Sequence, residues 1–369
     1  MRILPIDQRY VLDTLMKLLH TPSPSGYTDR VVHVVCEELK RLGVPFELTR
    51  LGAIRATVRG AARAPARAIV SHLDTLGAQV KALKPNGRLE VVPVGHWNAR
   101  FAEGARVTLF TDGGSHRGTL LPLKASGHTF GPEVDSQPSA WDNLELRLDE
   151  PLGGIQELMK LGIYVGDFIA VDANPEISDN GFINSRHLDD KAGVAVALGT
   201  LKALRDARPT LPSDVYFLFT ILEEVGVGAS AVLPDTVAEM VAVDNGTTAP
   251  GQNSAEHGAT IAMADSSGPF DYHLTRRLLL LCKEFGIAHQ RDVFRYYRSD
   301  IAAALQAGHD LRTALVCFGI DGSHGWERIH WNALESLIGL LGVYVQSGVL
   351  FQRERETMGP QDGFPIQPQ

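Results

Sequence analysis

The sequence predicts an α/β fold, a largely parallel sheet flanked by helices, with a small β-rich module inserted into it. Three observations lead there. Beyond residue 181, short apolar strands alternate with helices, the pattern of a sheet covered on both faces. Between residues 77 and 181, short β-prone pieces such as "RLEVVPVG", "ARVTLFT" and "NLELRLDE" are broken by Gly, Pro, Asn and Asp, as in a compact all-β unit. The length of 369 residues exceeds what one core usually serves, which suits a large domain carrying a smaller one.

In chain order, apolar residues recur at helical spacing over residues 7–19 and 28–42, the second helix burying Val31, Val34, Val35, Leu39 and Leu42. "FELTRLGAIRATVRG" alternates like a hairpin, and "ARAIVSHLD" is an apolar strand ending on His72 and Asp74. Within the β-rich stretch only "GIQELMKLG" has a helical pattern. A helix over 190–206 then precedes the strand "DVYFLFTIL", helix-like "GASAVL", and the strands "MVAVD" and "ATIAMAD". The helix "YHLTRRLLLLCKEFG", strand "RDVFR", helix "SDIAAALQAG", strand "TALVCFGI" and a last helix over 331–345 complete the pattern. The expected division is an α/β domain of residues 1–76 and 181–350, a β insertion of 77–180, and a polar, disordered tail of 351–369.

Composition narrows the function classes. A formal charge of −8 and the lack of basic runs argue against nucleic-acid and anionic-membrane partners. No apolar run approaches the ~18 residues of a membrane span, and the N-terminus lacks a signal-peptide pattern. Cys36, Cys282 and Cys317 are odd in number and far apart, which reads as reduced core thiols in a cytoplasmic protein. Any metal would therefore be held by histidines and carboxylates.

Such residues gather where ligands bind in open α/β sheets, outside the carboxyl ends of the strands. "AIVSHLD" ends on His72 and Asp74, "TILEE" on Glu223 and Glu224, "VAVD" on Asp244, and "CFGIDGSH" reaches His324. "RHLDD" adds Asp189 and Asp190 at a helix start. Converging, they make a nitrogen and oxygen set suited to zinc, cobalt or manganese. A pair of divalent ions needs a bridging carboxylate and a separate base for water. The adjacent Glu223 and Glu224 supply two roles, one binding metal and the other handling the proton.

Taken in order, "SHLDT", "RHLDDKAGVAVAL", "TILEEVGVGA", "AVDNG" and "GIDGSH" resemble the di-metal aminopeptidases that include glutamyl aminopeptidase and the tetrahedral (TET) peptidases, over residues 22–341. The resemblance implies a zinc-peptidase-like fold whose β-barrel-like insertion dimerises, dimers in the family joining into twelve-subunit shells. It implies two divalent ions, with His72 and Asp244 on the first, Asp189 bridging, and Glu224 and His324 on the second. Glu223 would be the general base and Asp74 the carboxylate that orients His72. The implied reaction removes N-terminal residues from short peptides. Thr75 departs from the family, which usually has Glu there, and "DGSHGWERIHW" leaves His324 and His330 as competitors for the last ligand; His324 is preferred because it directly follows the strand and a Gly-rich turn. "HGWER" also resembles a subgroup associated with an acetylated glutamine-dipeptide osmoprotectant.

Each residue also has a plainer reading. His72 alone could be a core histidine, Asp189 and Asp190 helix caps, Glu223 and Glu224 a solvated edge, and Asp244 the start of a "DNG" turn. Their joint occurrence at strand ends favours the metal. "YYRSDIAAAL" offers Arg298, Ser299 and Asp300 as substrate contacts, against a plain helix start. His116, His128, His187, His257, His273, His289 and His309 read as surface or structural. The competing functions are a deacylase or carboxypeptidase of the same clan acting on N-acyl substrates, and a catalytically silent assembly protein.

Overall fold

The computed structural model describes residues 1–368. Strands β1 (Phe46–Leu48), β2 (Ile54–Val58) and β3 (Ala62–His72) precede the insertion. Strands β4 (Gly77–Leu83), β5 (Leu89–Val94), β6 (Arg106–Thr111), β7 (Gly114–Pro122), β8 (Leu144–Leu148) and β9 (Phe168–Val171) then form a closed antiparallel barrel, ordered β4-β5-β8-β7-β6-β9. After β10 (Glu176–Ile177) and β11 (Phe182–Ser185) come β12 (Ser213–Thr220), β13 (Val237–Thr247), β14 (Ala259–Asp265), β15 (Gly268–Pro269), β16 (His289–Val293), β17 (Arg312–Ile320) and β18 (Glu327–His330).

The main sheet runs β1-β2-β12-β3-β13-β17-β14-β15, with β16 paired to β14. Its centre, β12-β3-β13-β17, is wholly parallel, so four carboxyl ends meet at one edge. These strands are buried almost throughout, as expected of a parallel sheet with helices on both faces. Beyond them β2 and β14 pair antiparallel and carry the sheet to its margins. The helix Leu188–Ala207 is buried along most of its length, which explains its weakly amphipathic, Ala- and Gly-rich sequence. The α/β domain and the barrel have separate hydrophobic cores, the second built around Val80, Leu89, Val107, Leu120, Leu146 and Ile169.

At the end of the sheet away from His72, Arg67 is fully buried. Its guanidinium donates to Glu239 Oε2 at 2.9 Å, to the carbonyls of Tyr344 and Ser347 at 2.8 Å each, and to that of Gly348 at 2.6 Å. Four of its five N–H donors are thereby directed to acceptors, which offsets the cost of burying this charge.

Two stretches differ from the sequence reading, and a third has no reading in it. "GASAVL" forms a 3-10 turn over Gly228–Ala231 rather than an α-helix, consistent with its two positive-φ glycines nearby, Gly226 and Gly228. "ERIH" extends against β11 as β18, and His330 caps the last helix, Trp331–Gln346, by accepting the Asn332 N–H at 3.0 Å. Of the tail expected to be disordered, Gln352–Arg355 form a 3-10 turn, because Glu354 meets Arg312 Nε at 2.5 Å.

Candidate metal centre

Every segment singled out for its His or carboxylate residues reaches the carboxyl edge of the parallel strands. β3 ends on His72. β12 ends at Thr220 and is followed by a 3-10 turn over Glu223–Val225, closed by Gly226 in the left-handed conformation. A 3-10 turn separates successive side chains by roughly 120°, so the twin glutamates diverge. Glu223 Oε2 lies 3.7 Å from His72 Nε2, whereas Glu224 Oε2 lies 3.8 Å from His324 Nε2. Asp189 and Asp190 have non-helical backbone just before the regular helix begins, which turns them out of its register.

Asp189 is the centre of the arrangement. Its Oδ1 is 3.2 Å from His72 Nε2 and its Oδ2 is 3.3 Å from His324 Nε2. Both imidazoles are fixed from behind by a backbone carbonyl: His72 Nδ1 lies 2.9 Å from the carbonyl of Asp74, and His324 Nδ1 lies 2.9 Å from that of His96. A carbonyl only accepts, so each Nδ1 carries the proton and each Nε2 faces the carboxylates. Donor atoms of His72, Asp189 and Glu224 all lie within 4.8 Å of one another. Asp244, on β13, is buried beside them and lines the same cleft.

A second layer holds these groups. Asp74 accepts the backbone N–H of Glu223 at 3.1 Å and of Glu224 at 3.2 Å, and the Ser25 hydroxyl at 2.5 Å. Its carboxylate stands 3.6 Å from the His72 ring, so the ring's nearer partner is the Asp74 carbonyl. Asp190 accepts the His72 N–H at 3.0 Å, tying β3 to the helix start. Two positioning groups escaped the sequence reading. Asn245 Nδ2 donates to Asp189 Oδ2 at 2.7 Å. Buried Glu327 accepts the N–H of Asp189 at 3.2 Å with one oxygen and that of His324 at 2.9 Å with the other. "DNG" and "WER" carry signals for a turn and a solvated charge, so nothing in the sequence singled them out.

The electrostatics ask for cations. Burial, then the nearby charge of Asp189, pushes Glu224 and Asp244 up to about 8. Burial also raises Glu223, with Asp244, Asp300 and Glu224 adding to it. Against the cost of burial, the Asp189 hydrogen bond and the Glu224 charge lift His324 to about 10. Hydrogen bonds from His324 and His72 hold Asp189 below the usual carboxylate range despite its burial. Glu224 Oε1 and Asn245 Oδ1 are buried without a hydrogen-bond partner. Crowded carboxylates, unsatisfied oxygens and two inward imidazole nitrogens fit divalent cations with mixed nitrogen and oxygen ligation.

The centre opens into a cleft of about 1060 Å³ lined by both the α/β domain and the barrel residues Gly95, His96, Trp97, Asn98 and Phe101. Arg298 is exposed on its wall. Ser299 and Asp300 are buried beneath it, and Asp300 accepts the Thr220 hydroxyl at 2.9 Å. His330 is elsewhere, its Nε2 2.9 Å from the Asn180 carbonyl. His187 is structural, 3.0 Å from the Val171 carbonyl, with burial pushing it down to about 3.

A family model described as M42 glutamyl aminopeptidase matches residues 52–340. YhfE of Bacillus subtilis (strain 168), which carries an aminopeptidase name, is 36% identical over 340 residues, covering 92% of this chain and 98% of that protein. The glutamyl aminopeptidase of Lactococcus lactis subsp. cremoris is 28% identical over 228 residues, 60% of this chain and 62% of its own. Among solved structures, a TET aminopeptidase from a marine sediment thaumarchaeon superposes with a TM-score of 0.84 at 19% identity, covering 92% of this chain and 98% of that one. The Pyrococcus horikoshii TET1 peptidase, which can assemble into a tetrahedron or a large octahedral shell, superposes with a TM-score of 0.81 at 23% identity, covering 91% and 99%. These structural likenesses establish the fold.

Proposed function

The chain belongs to the M42 glutamyl aminopeptidase family, and we propose that it is a di-metal aminopeptidase removing N-terminal residues from short peptides, with Glu223 as general base. The observation that carries this reading is the placement of Asp189, whose two oxygens face the Nε2 atoms of His72 and His324 separately. His72, Asp189 and Asp244 would hold one divalent cation; Asp189, Glu224 and His324 would hold the other. Zinc suits this donor set, and cobalt or manganese would also fit. When bound, the cations would supply Lewis-acid polarisation of the scissile carbonyl and ease the deprotonation of water.

The remaining work falls to the side chains. Glu223 is the glutamate with more access, its side chain 14% exposed against 5% for Glu224, and it takes no hydrogen bond from the second layer through its carboxylate. It is placed to take a proton from water and return it to the leaving amine. Arg298 is placed to meet the rest of the peptide, while Asp300 is taken up by the Thr220 hydroxyl and adds negative charge near the base.

Leu123, Phe130, Ile155, Met159, Tyr164 and Val165 are exposed on the insertion. Together with the assemblies of structural relatives, they support a homo-oligomer built through it, from dimers up to a shell. Three buried free cysteines suit a reducing cytoplasm, and no helix among the described residues is long and apolar enough to cross a membrane.

The test is hydrolysis of aminoacyl substrates and dipeptides by purified protein. Chelation should abolish turnover, zinc, cobalt or manganese should restore it, and N-acetylated dipeptides should be inert. Turnover of the N-acetylated compounds alone would replace this reading with that of a deacylase.

A further inference from the structure

The inserted barrel reaches the metal centre through one segment, residues 95–101, and its contacts fall on one half of that centre. Gly95 has φ +82, and a Cβ there would stand 2.6 Å from Leu76 Cδ2 and 3.5 Å from Glu224 Cβ, so the barrel backbone lies directly against this glutamate. The next residue, His96, offers its carbonyl to His324 Nδ1 at 2.9 Å. Phe101 ends a 3-10 turn over Ala99–Phe101 and lies against the loop that carries His324: a Cβ on Gly325 would stand 2.9 Å from Phe101 Cδ1.

The segment is itself anchored in the barrel. Buried Trp97 donates through Nε1 to the Gly77 carbonyl at 3.0 Å, and packs edge-on against Trp141 with ring centroids 4.9 Å apart. Trp141 Nε1 in turn donates to the Trp97 carbonyl at 3.1 Å. The loop is thus a rigid extension of the barrel, touching Glu224, the His324 ring and the loop next to it. His72 is held differently, by the Asp74 carbonyl and by Asp190, both within the α/β domain.

We propose that residues 95–101 position the Glu224 and His324 half of the centre, so that the barrel sets how tightly the second divalent cation is held while the His72 and Asp244 half is set by the α/β domain alone. This rests on the di-metal reading above. The physical reason is that a ligand's imidazole is oriented by whatever accepts its other N–H, and loss of such support typically costs about 10- to 100-fold in metal affinity. A Cβ at Gly95 would press on Leu76, and one at Gly325 on Phe101 and the Gly322 carbonyl, so a side chain at either position must shift the segment or the loop it meets.

The experiment is a cobalt(II) titration of the full-length metal-free protein, followed by visible absorption and by metal content after gel filtration. The wild-type protein should take up two equivalents. Gly95→Ala and Gly325→Ala should each weaken one equivalent by about ten-fold or more, change part of the cobalt spectrum, and leave the other equivalent unmoved. Adding Phe101→Ala to Gly325→Ala removes the ring that the new methyl meets, leaving only its approach to the Gly322 carbonyl at 3.1 Å, and should recover part of the lost affinity. Gly325 lies outside the left-handed backbone region and Phe101 is 36% exposed, so this pair decides the matter even if Gly95→Ala does not fold. Two wild-type equivalents with unchanged affinities in the variants, or both equivalents weakened together, would overturn the positioning role alone. A wild-type protein that binds no cobalt would instead overturn the metal reading on which it stands.

Discussion

Asp74 Oδ1 accepts the backbone N–H of Glu223 at 3.1 Å, so the carboxylate two residues beyond His72 fixes the residue proposed as base. Its other oxygen takes the Glu224 N–H and the Ser25 hydroxyl. One buried carboxylate therefore organises the 3-10 turn that directs two adjacent glutamates to different histidines. Glu223→Gln leaves this backbone arrangement intact and removes the proton acceptor. Metal content should stay at two per chain, while kcat falls about 10²- to 10⁴-fold; turnover and metal analysis on the same preparation check it.

Asp74→Asn should behave differently. An amide in that place can accept with its oxygen but directs an NH₂ group at a backbone N–H, so the turn loses one of its two supports. Both metal affinity and kcat should fall together, measurable as metal retention through gel filtration beside steady-state kinetics.

Glu327→Gln is the corresponding test of the residue that sequence reasoning missed. Its two oxygens each take one backbone N–H, from Asp189 and from His324. Glutamine can satisfy only one of them, and an unmet buried donor costs about 1–3 kcal/mol. The metal-free protein should lose about that much stability in urea, and metal should be retained less well.

The metal-free protein should lose stability as pH rises from about 4 to about 8. Glu224, Asp244 and Glu327 all sit at about 8 in the native state, raised first by burial and then by Asp189. In that window the native state keeps protons that the unfolded chain has released, so their contribution is full below the unfolded carboxylate range and is lost as pH passes the native values. His324, raised to about 10 against the cost of burial by Asp189 and Glu224, acts with the same sign from its unfolded value of 6.5 upward. Metal uptake near neutral pH should accordingly release protons. Urea melts across pH and calorimetry in buffers of different ionisation enthalpy measure the two effects.

The α/β architecture was legible because its strands are apolar runs and its helices are periodic, and the candidate centre because ligand-type side chains end several of those strands. What stayed hidden has a common physical character. The carbonyls of Asp74 and His96 orient the two imidazoles, yet every residue has a carbonyl. Glu327 and Arg67 are charged side chains whose composition suggests solvent, and they are buried because their partners come from distant parts of the chain. "ERIH" is too short and too polar to announce a strand, and only pairing with Phe182–Ser185 makes it one.

Arg67→Ala should destabilise the fold more than it affects the centre. It removes the guanidinium that faces Glu239 and leaves that carboxylate with the Tyr344 hydroxyl and the Leu350 N–H. Breaking a buried pair on one side costs about 3–5 kcal/mol, which a shift of the urea midpoint at unchanged metal stoichiometry would show.

That same guanidinium has a consequence for how the protein is made. It lies in a central strand from the first fifth of the chain, and three of its acceptors are carbonyls near the end, at Tyr344, Ser347 and Gly348. A growing chain exposes the charge long before its partners leave the ribosome, so this buried end of the principal sheet cannot close until residues 344–348 have emerged. The barrel pairs its strands within one continuous segment and can settle while that wait continues. Residues 344–348 act as the bolt on a door hung early.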